Sequence, residues 1–339
     1  MYFFPVETST NISSPASYPE FHVGKNLWKY CSPVMLILGT IGNVFSILIL
    51  TRKSLRIQAT TAVYLVALSL NDLAVLYTGL FRNWIWITFG IDFRHFSEPG
   101  CKVHMWMTYN TLDVSAWILV VVTLERVGLV WHPQKIKFRC NKNTAAIVLL
   151  SVIGSIMLVN SHVLYGIGNV VKEENNQTVL RLCTFENETY QRFYMQMWHW
   201  IDLVKFNAIP FLIIFFGNIC IIAKVYKRKL NAKVLPLGTQ HFSKANSLTI
   251  TLIVLNTTFL ISSTPISIYL ALYDTWSLNA TNHTNARLVL AWAIVNLLMY
   301  ANNTINFFLY CFSGRNFRQE VKRLCRIRWG QFDITSSQT

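Results

Sequence analysis

The chain has 339 residues, 53% hydrophobic, 14% aromatic and only 13% charged. Soluble domains carry about 25% charge, and apolar runs reaching the roughly 20 residues that cross a bilayer exclude a single large water-soluble core. The net charge of +15 raises nucleic acid as a partner, but the basic residues gather in alternate loops rather than interleaving with exposed aromatics on one face, so no nucleic-acid binding is expected.

Residues 1–27 read as a polar extracellular tail with Pro5, Pro15 and Pro19. The tail has no clear signal peptide, so the first span is expected to act as its own signal. Apolar spans follow near residues 28–51, 59–88, 101–131, 143–167, 194–228, 242–272 and 286–311. The spans make residues 28–312 one membrane domain, with a short tail at 313–339. Between them, Arg52, Lys53 and Arg56, then Lys135, Lys137, Arg139 and Lys142, then Lys224 to Lys244, then Arg315 to Arg328 cluster on one side. The intervening loops hold Asp92, Glu98, Glu173, Glu174, Glu186, Glu188 and Asp274. The positive-inside rule makes the basic side cytoplasmic, so the N-terminus lies outside and the C-terminus inside.

Asn-X-Ser/Thr sequons at Asn11, Asn176, Asn187, Asn279 and Asn282 all fall on the side read as extracellular. Two more, Asn256 and Asn302, lie mid-span, where the modifying enzyme cannot reach. Cys101 and Cys183 fall on the same outer side, an oxidising compartment that favours a disulfide between them. Cys31 is near the outer end of span 1 with no obvious partner, and the spacing of Cys140, Cys220, Cys311 and Cys325 is wrong for zinc.

Cys101 opens span 3 and Arg126 closes it, 25 residues later. A helix of that length rises roughly 37 Å. The motifs along the chain are Gly42-Asn43-Val44, Leu68-Ser69-Leu70-Asn71-Asp72-Leu73, Leu124-Glu125-Arg126-Val127 with Pro133, Pro210, Phe259 with Pro265, Asn306-Phe307-Phe308-Leu309-Tyr310, and Gly314-Arg315-Asn316-Phe317-Arg318. In order and spacing, over about residues 30–325, they resemble the rhodopsin-like (class A) G-protein-coupled receptors. The chain departs from that pattern at Val127 for tyrosine, Phe307 for the span-7 proline, Ser262-Ser263-Thr264-Pro265 for Cys-Trp-X-Pro, and Asn218 for a span-5 tyrosine. Several departures resemble invertebrate FMRFamide-type neuropeptide receptors.

The resemblance implies an all-α membrane protein, a seven-transmembrane helix bundle with a short amphipathic eighth helix. It implies a heterotrimeric G protein as partner and a switch of Glu125, Arg126 and Tyr310, with Arg126 paired to Glu125 at rest. Asp72, Ser115, Asn302 and Asn306, with Asn303 between them, would surround a sodium ion and its waters. The alternative is a water-bridged network without metal, since an ionisable residue at membrane depth is functional by default. The eighth helix, Arg315 to Arg328, would lie on the inner leaflet by Phe317, Val321 and Leu324. Cys325 is a palmitoylation candidate, and Thr335, Ser336, Ser337 and Thr339 are candidate phosphosites for arrestin.

Pocket candidates in the outer half are Arg82, Thr108, Tyr109, Asp113, Asp202, Lys205, Trp292 and Asn296. Arg82 reads as a snorkelling side chain or as an anchor for an acidic or carbonyl group of a ligand. Lys205 is expected to pair with Asp113 across spans 3 and 5, with Asp202, three residues away, as a second partner or ligand contact. Thr108 stands where amine receptors carry aspartate, and Tyr300 where opsins carry lysine. The expected function is a plasma-membrane receptor, first for a neuropeptide and second for a small-molecule or chemosensory ligand. A channel or transporter is the alternative from another class, but no internal repeat supports it. No nucleophile elbow, phosphate loop or metal-ligand spacing marks an enzyme, and no cofactor beyond sodium is implied.

Overall fold

The structure, a computed structural model, describes residues 14–52, 59–134, 136, 141–174, 177–234, 239–313 and 317–323. Among them, seven helices are long and apolar enough to cross a membrane. α1 (Pro19–Leu50) begins ahead of the expected apolar boundary at 28. Proline in the first turn, followed by Glu20 near the positive end of the helix dipole, favours a start there. The early turns are held because Phe21 and Trp28 are buried. At Gly24 a side chain would press on the backbone of the seventh span, with a Cβ only 3.2 Å from Leu290 Cα. Hydropathy marks where the chain becomes apolar, not where the helix begins.

α2 starts as Ala59–Val75, widens through a π-helical stretch, Leu76–Phe81, and resumes as Arg82–Phe89. The wide turn accommodates Tyr300, whose ring and hydroxyl occupy the place a Cβ on Gly79 would take. Gly90, at φ +73°, ends the helix in the left-handed conformation that glycine adopts freely. α3 (Glu98–Trp131) runs through the middle of the bundle, capped by Ser97, whose hydroxyl accepts from the Gly100 N–H at 3.1 Å. α4 (Lys142–Val159) breaks at Asn160–Ser161 and finishes as His162–Gly166. Most of α4 faces outward, with Ile147, Leu150 and Leu158 exposed where lipid would lie.

A β-hairpin of β1 (Ile167–Glu174) and β2 (Gln177–Phe185) then folds over the outer end. Its strands pair antiparallel from Ile167↔Phe185 to Glu174↔Gln177, with an irregularity between Gly168 and Val170. α5 begins as Glu188–Phe193, passes through two π-helical stretches, Tyr194–Trp198 and Leu203–Ala208, and continues as Ile209–Val234. The second stretch ends just before Pro210, which has no N–H to continue the ladder. In α6 (Thr239–Ser277), the turn before Pro265 is supported by side chains. The Ser263 and Thr264 hydroxyls donate to the carbonyls of Phe259 and Leu260 at 2.7 and 2.6 Å.

α7 (Asn282–Ser313) packs along α1 and α6. Residues 317–323 form a further helical segment, α8. Phe317 was expected to face the inner leaflet, yet it is buried against the bundle, its ring 5.4 Å from that of Tyr310. Leu324, Cys325 and the candidate phosphosites lie outside the described residues. One buried cluster, with Leu68, Ile118, Ile214, Leu255 and Phe259, fills the inner half of the bundle. A second, with Trp28, Leu76, Leu80 and Tyr300, fills the outer half.

Candidate functional site

Three sites line the axis of the bundle. The outermost lies beneath the hairpin. The Cys101–Cys183 disulfide, S–S 2.00 Å, ties β2 to the first turn of α3. Cys183 sits at φ 53°, a left-handed conformation uncommon for a residue with a side chain. Beneath it, Tyr109 and Tyr194 share a hydroxyl–hydroxyl hydrogen bond. His162 Nδ1 lies 2.8 Å from the Tyr190 hydroxyl, and its ring centroid is 4.0 Å from that of Trp198.

Deeper still, Lys205 joins three helices. Its Nζ lies 2.5 Å from Asp113 Oδ2 on α3 and 3.1 Å from Asp202 Oδ1 one turn away on α5. It also donates to Asn160 Oδ1 at the α4 break, at 2.7 Å. The Asn160 amide donates in turn to Asp113 Oδ2 at 2.8 Å and to Asn110 Oδ1 at 3.0 Å. The Trp198 ring lies 4.9 Å from the ammonium, a cation–π contact. The Lys205 carbonyl, in the second π stretch, accepts from Trp117 Nε1 at 3.2 Å. Two carboxyl groups thus face one ammonium. Asp113 and Lys205 have side-chain exposures of 2% and 13%, whereas Asp202 is more open at 22%. Asn160 was not foreseen: an asparagine closing an apolar run reads simply as a helix cap.

Arg82 is held by the first outer loop. Its guanidinium grips Asp92 of the first outer loop, and Nη1 donates to Asn83 Oδ1 at 2.8 Å. Arg94 grips the same carboxylate, Nη2 to Oδ2 at 2.7 Å, and reaches Met105 Sδ. All three charged groups are buried. Burial alone would raise the Asp92 carboxyl, but the hydrogen bonds from Arg94 and Arg82 outweigh it and hold the group well below the usual carboxylate range. The arginine is therefore used to pin the loop onto α2. Thr108 and Asn296 are turned to their own helices, donating to the His104 and Trp292 carbonyls at 2.9 and 2.8 Å. The Trp292 ring packs 5.6 Å from Tyr269.

The middle site centres on Asp72, which is fully buried. Asn306 Nδ2 donates to Asp72 Oδ2 at 2.6 Å. Among the described residues, Asp72 Oδ1 has no protein partner, nor have the Ser69 hydroxyl one turn before it and Asn303 Oδ1 one turn before Asn306. Ser115 serves Asn71, accepting from its amide at 2.7 Å. Asn302 is buried, but no hydrogen bond joins it to Asp72 among the described residues. Carboxylate and neutral oxygens without partners among the described residues are the hard ligands that a hard cation takes.

At the cytoplasmic end, Glu125 and Arg126 diverge. The Thr60 hydroxyl donates to Glu125 Oε1 at 2.5 Å, while the Arg126 guanidinium donates to Thr61 Oγ1. The expected Glu125–Arg126 ion pair is not among the salt bridges of the described residues. Adjacent residues on a helix do not face each other, and two neighbouring threonines of α2 take one side chain each. Tyr310 is buried beside Phe317, with no hydrogen-bond partner on its hydroxyl among the described residues. Of the sequon asparagines, Asn187 caps α5, accepting from the Tyr190 N–H at 2.7 Å. Asn279 lies in the α6–α7 turn at φ 60°, and Asn282 opens α7. Asn11 and Asn176 lie outside the described residues.

Seven helices, a hairpin tethered to α3, and buried polar sites along one axis are the architecture of a membrane receptor, and the family model described as 7 transmembrane receptor (rhodopsin family) matches residues 42–310. The chain belongs to that family, a multi-pass membrane receptor and not an enzyme. It is similar to the B1 bradykinin receptor of Macaca fascicularis, 26% identical over 295 residues that span 84% of this chain and 78% of that receptor. The same receptor of Macaca mulatta is also 26% identical, and that of Homo sapiens is 25% identical over 297 residues.

Proposed function

We propose that the chain is a plasma-membrane receptor, N-terminus outside and C-terminus inside, that transmits the binding of an extracellular neuropeptide to a heterotrimeric G protein. The observation that carries the peptide reading is the charged cluster of Asp113, Lys205 and Asp202 set in an aromatic outer half beneath a tethered hairpin. A charged or polar group of a ligand can meet Asp202, the most open member of the cluster at 22%, and the aromatic surroundings suit the side chains of a peptide. Similarity to receptors named for bradykinin supports a peptide, and the likeness of several departures to FMRFamide-type receptors favours a short neuropeptide. The alternating basic loops, and sequons on the hairpin side, support the orientation. Asp72, with Ser115, Asn302, Asn303 and Asn306 around it, would hold a sodium ion, whose charge would stabilise the resting packing. Arrestin would bind the tail through its serines and threonines.

The test is expression in cultured cells with calcium and cyclic-nucleotide readouts, challenged with short amidated peptides and kinin-like peptides. A saturable response to a peptide, lost when G-protein coupling is blocked, is the expected result. A response confined to non-peptide small molecules would overturn the ligand class. A ligand-gated current that persists without G protein would overturn the signalling reading.

A further inference from the structure

Asn256 carries a sequon that cannot be glycosylated, and Asn218 stands in place of an expected tyrosine; the structure brings the two together. The Asn256 amide, on α6, donates to Asn218 Oδ1 on α5 at 3.0 Å and to Thr123 Oγ1 on α3 at 2.9 Å. The Thr123 hydroxyl donates onward to the Leu119 carbonyl at 2.7 Å, which turns its lone pairs toward Asn256. All three residues are buried. Gly217, next to Asn218, admits Thr123: a Cβ there would collide with the Thr123 methyl. The close approach of α3 and α5 and the reach of α6 into it are thus built from three successive choices of residue.

We infer that Asn256, Asn218 and Thr123 are positioning residues that hold α6 against α3 and α5 in the resting receptor, and that signalling requires this triad to open. Three observations support the assignment. First, Thr123 is one helical turn before Arg126, so the triad sits at the base of the surface expected to meet the G protein. Second, one side chain of α6 reaches both neighbours at the same level, the Asn256 amide donating to α3 and to α5. Third, burying a polar group costs free energy unless it is bonded, and Asn256 Oδ1 is buried with no partner among the described residues, so opening the triad to water would satisfy an atom that the closed state leaves unmet. A receptor passes a signal by exchanging such packings. Glu125 and Arg126 meet Thr60 and Thr61 of α2, and the triad lies one turn deeper.

The inference rests on the G-protein reading above, so its test has one readout that needs no G protein. Asn256→Leu and Thr123→Val each remove amide–hydroxyl bonding while keeping comparable volume. Basal signalling per receptor at the surface should rise about fivefold for each hydrogen bond removed, the population shift equivalent to one ordinary bond, and the double variant should be less than multiplicative. In purified receptor with its unbridged cysteines replaced, spin labels on Leu124→Cys and Ile250→Cys should show a longer α3–α6 distance in Asn256→Leu without ligand. A wild type that never signals while the distance still lengthens would overturn the G-protein reading alone. Unchanged distance in both Asn256→Leu and Thr123→Val would overturn this inference, whatever the signalling. Should Asn256→Leu fail to reach the surface, Thr123→Val, which loses only a hydroxyl, decides on the same two readouts.

Discussion

Replacing Lys205 by methionine removes the ammonium from Asp113 at 2.5 Å, Asn160 at 2.7 Å and Asp202 at 3.1 Å. Asp113, with only 2% of its side chain exposed, would then keep a single described donor outside its own helix, the Asn160 amide at 2.8 Å. Removing one partner of a buried pair costs about 3–5 kcal/mol. The converse change, Asp113→Asn, leaves Lys205 still paired to Asp202, so its cost should be that of one charge-assisted bond, about 1–3 kcal/mol. The double variant leaves no stranded charge at Asp113, and should cost less than the sum of the singles by about 1–3 kcal/mol. Thermal unfolding of detergent-purified receptor measures the three values, with surface expression and agonist potency as parallel readings. The reasoning is refuted if the two changes add within about 0.5 kcal/mol, or if Asp113→Asn proves the more damaging.

Asp92→Asn should destabilise the receptor by about 3–5 kcal/mol, since two buried arginines share that one carboxylate. Its folded pKa is depressed by the hydrogen bonds from Arg94 and Arg82 that overcome its burial. The stabilisation is therefore complete above the unfolded value of about 3.9 and is lost only as pH falls through the folded one. The gap in melting temperature between wild type and variant should not narrow from pH 8 to about pH 5, both above that unfolded value, and should widen as His95, 3.9 Å from the carboxylate, gains a proton; a gap that closes by pH 5 would contradict the assignment. Asp72→Asn should abolish any sodium dependence of agonist affinity while leaving the fold intact. Sodium sensitivity that survives in the variant would leave only the water network at that site.

Hydropathy and charge determined the seven spans because burying backbone in lipid demands helices of fixed minimum length, and that demand is written residue by residue. Helical spacing also brought Lys205 within reach of Asp202, and comparable depth brought it opposite Asp113. Other partnerships were invisible for a definite reason. Asn160 joins the Lys205 cluster only because α4 breaks there and turns its amide inward. Arg82 reads as a snorkelling side chain or a ligand anchor, and its Asp92 partner appears only where the outer loop returns, ten residues on. Glu125 and Arg126 are neighbours in the chain, yet they point to different threonines because consecutive helical side chains diverge by about 100°. The early start of α1, the hairpin and the turn of Phe317 onto the bundle are likewise products of contact. Periodicity reports how each helix meets an apolar medium. Which polar side chains find one another inside depends on how the helices pack, and that is set by residues distant in the chain.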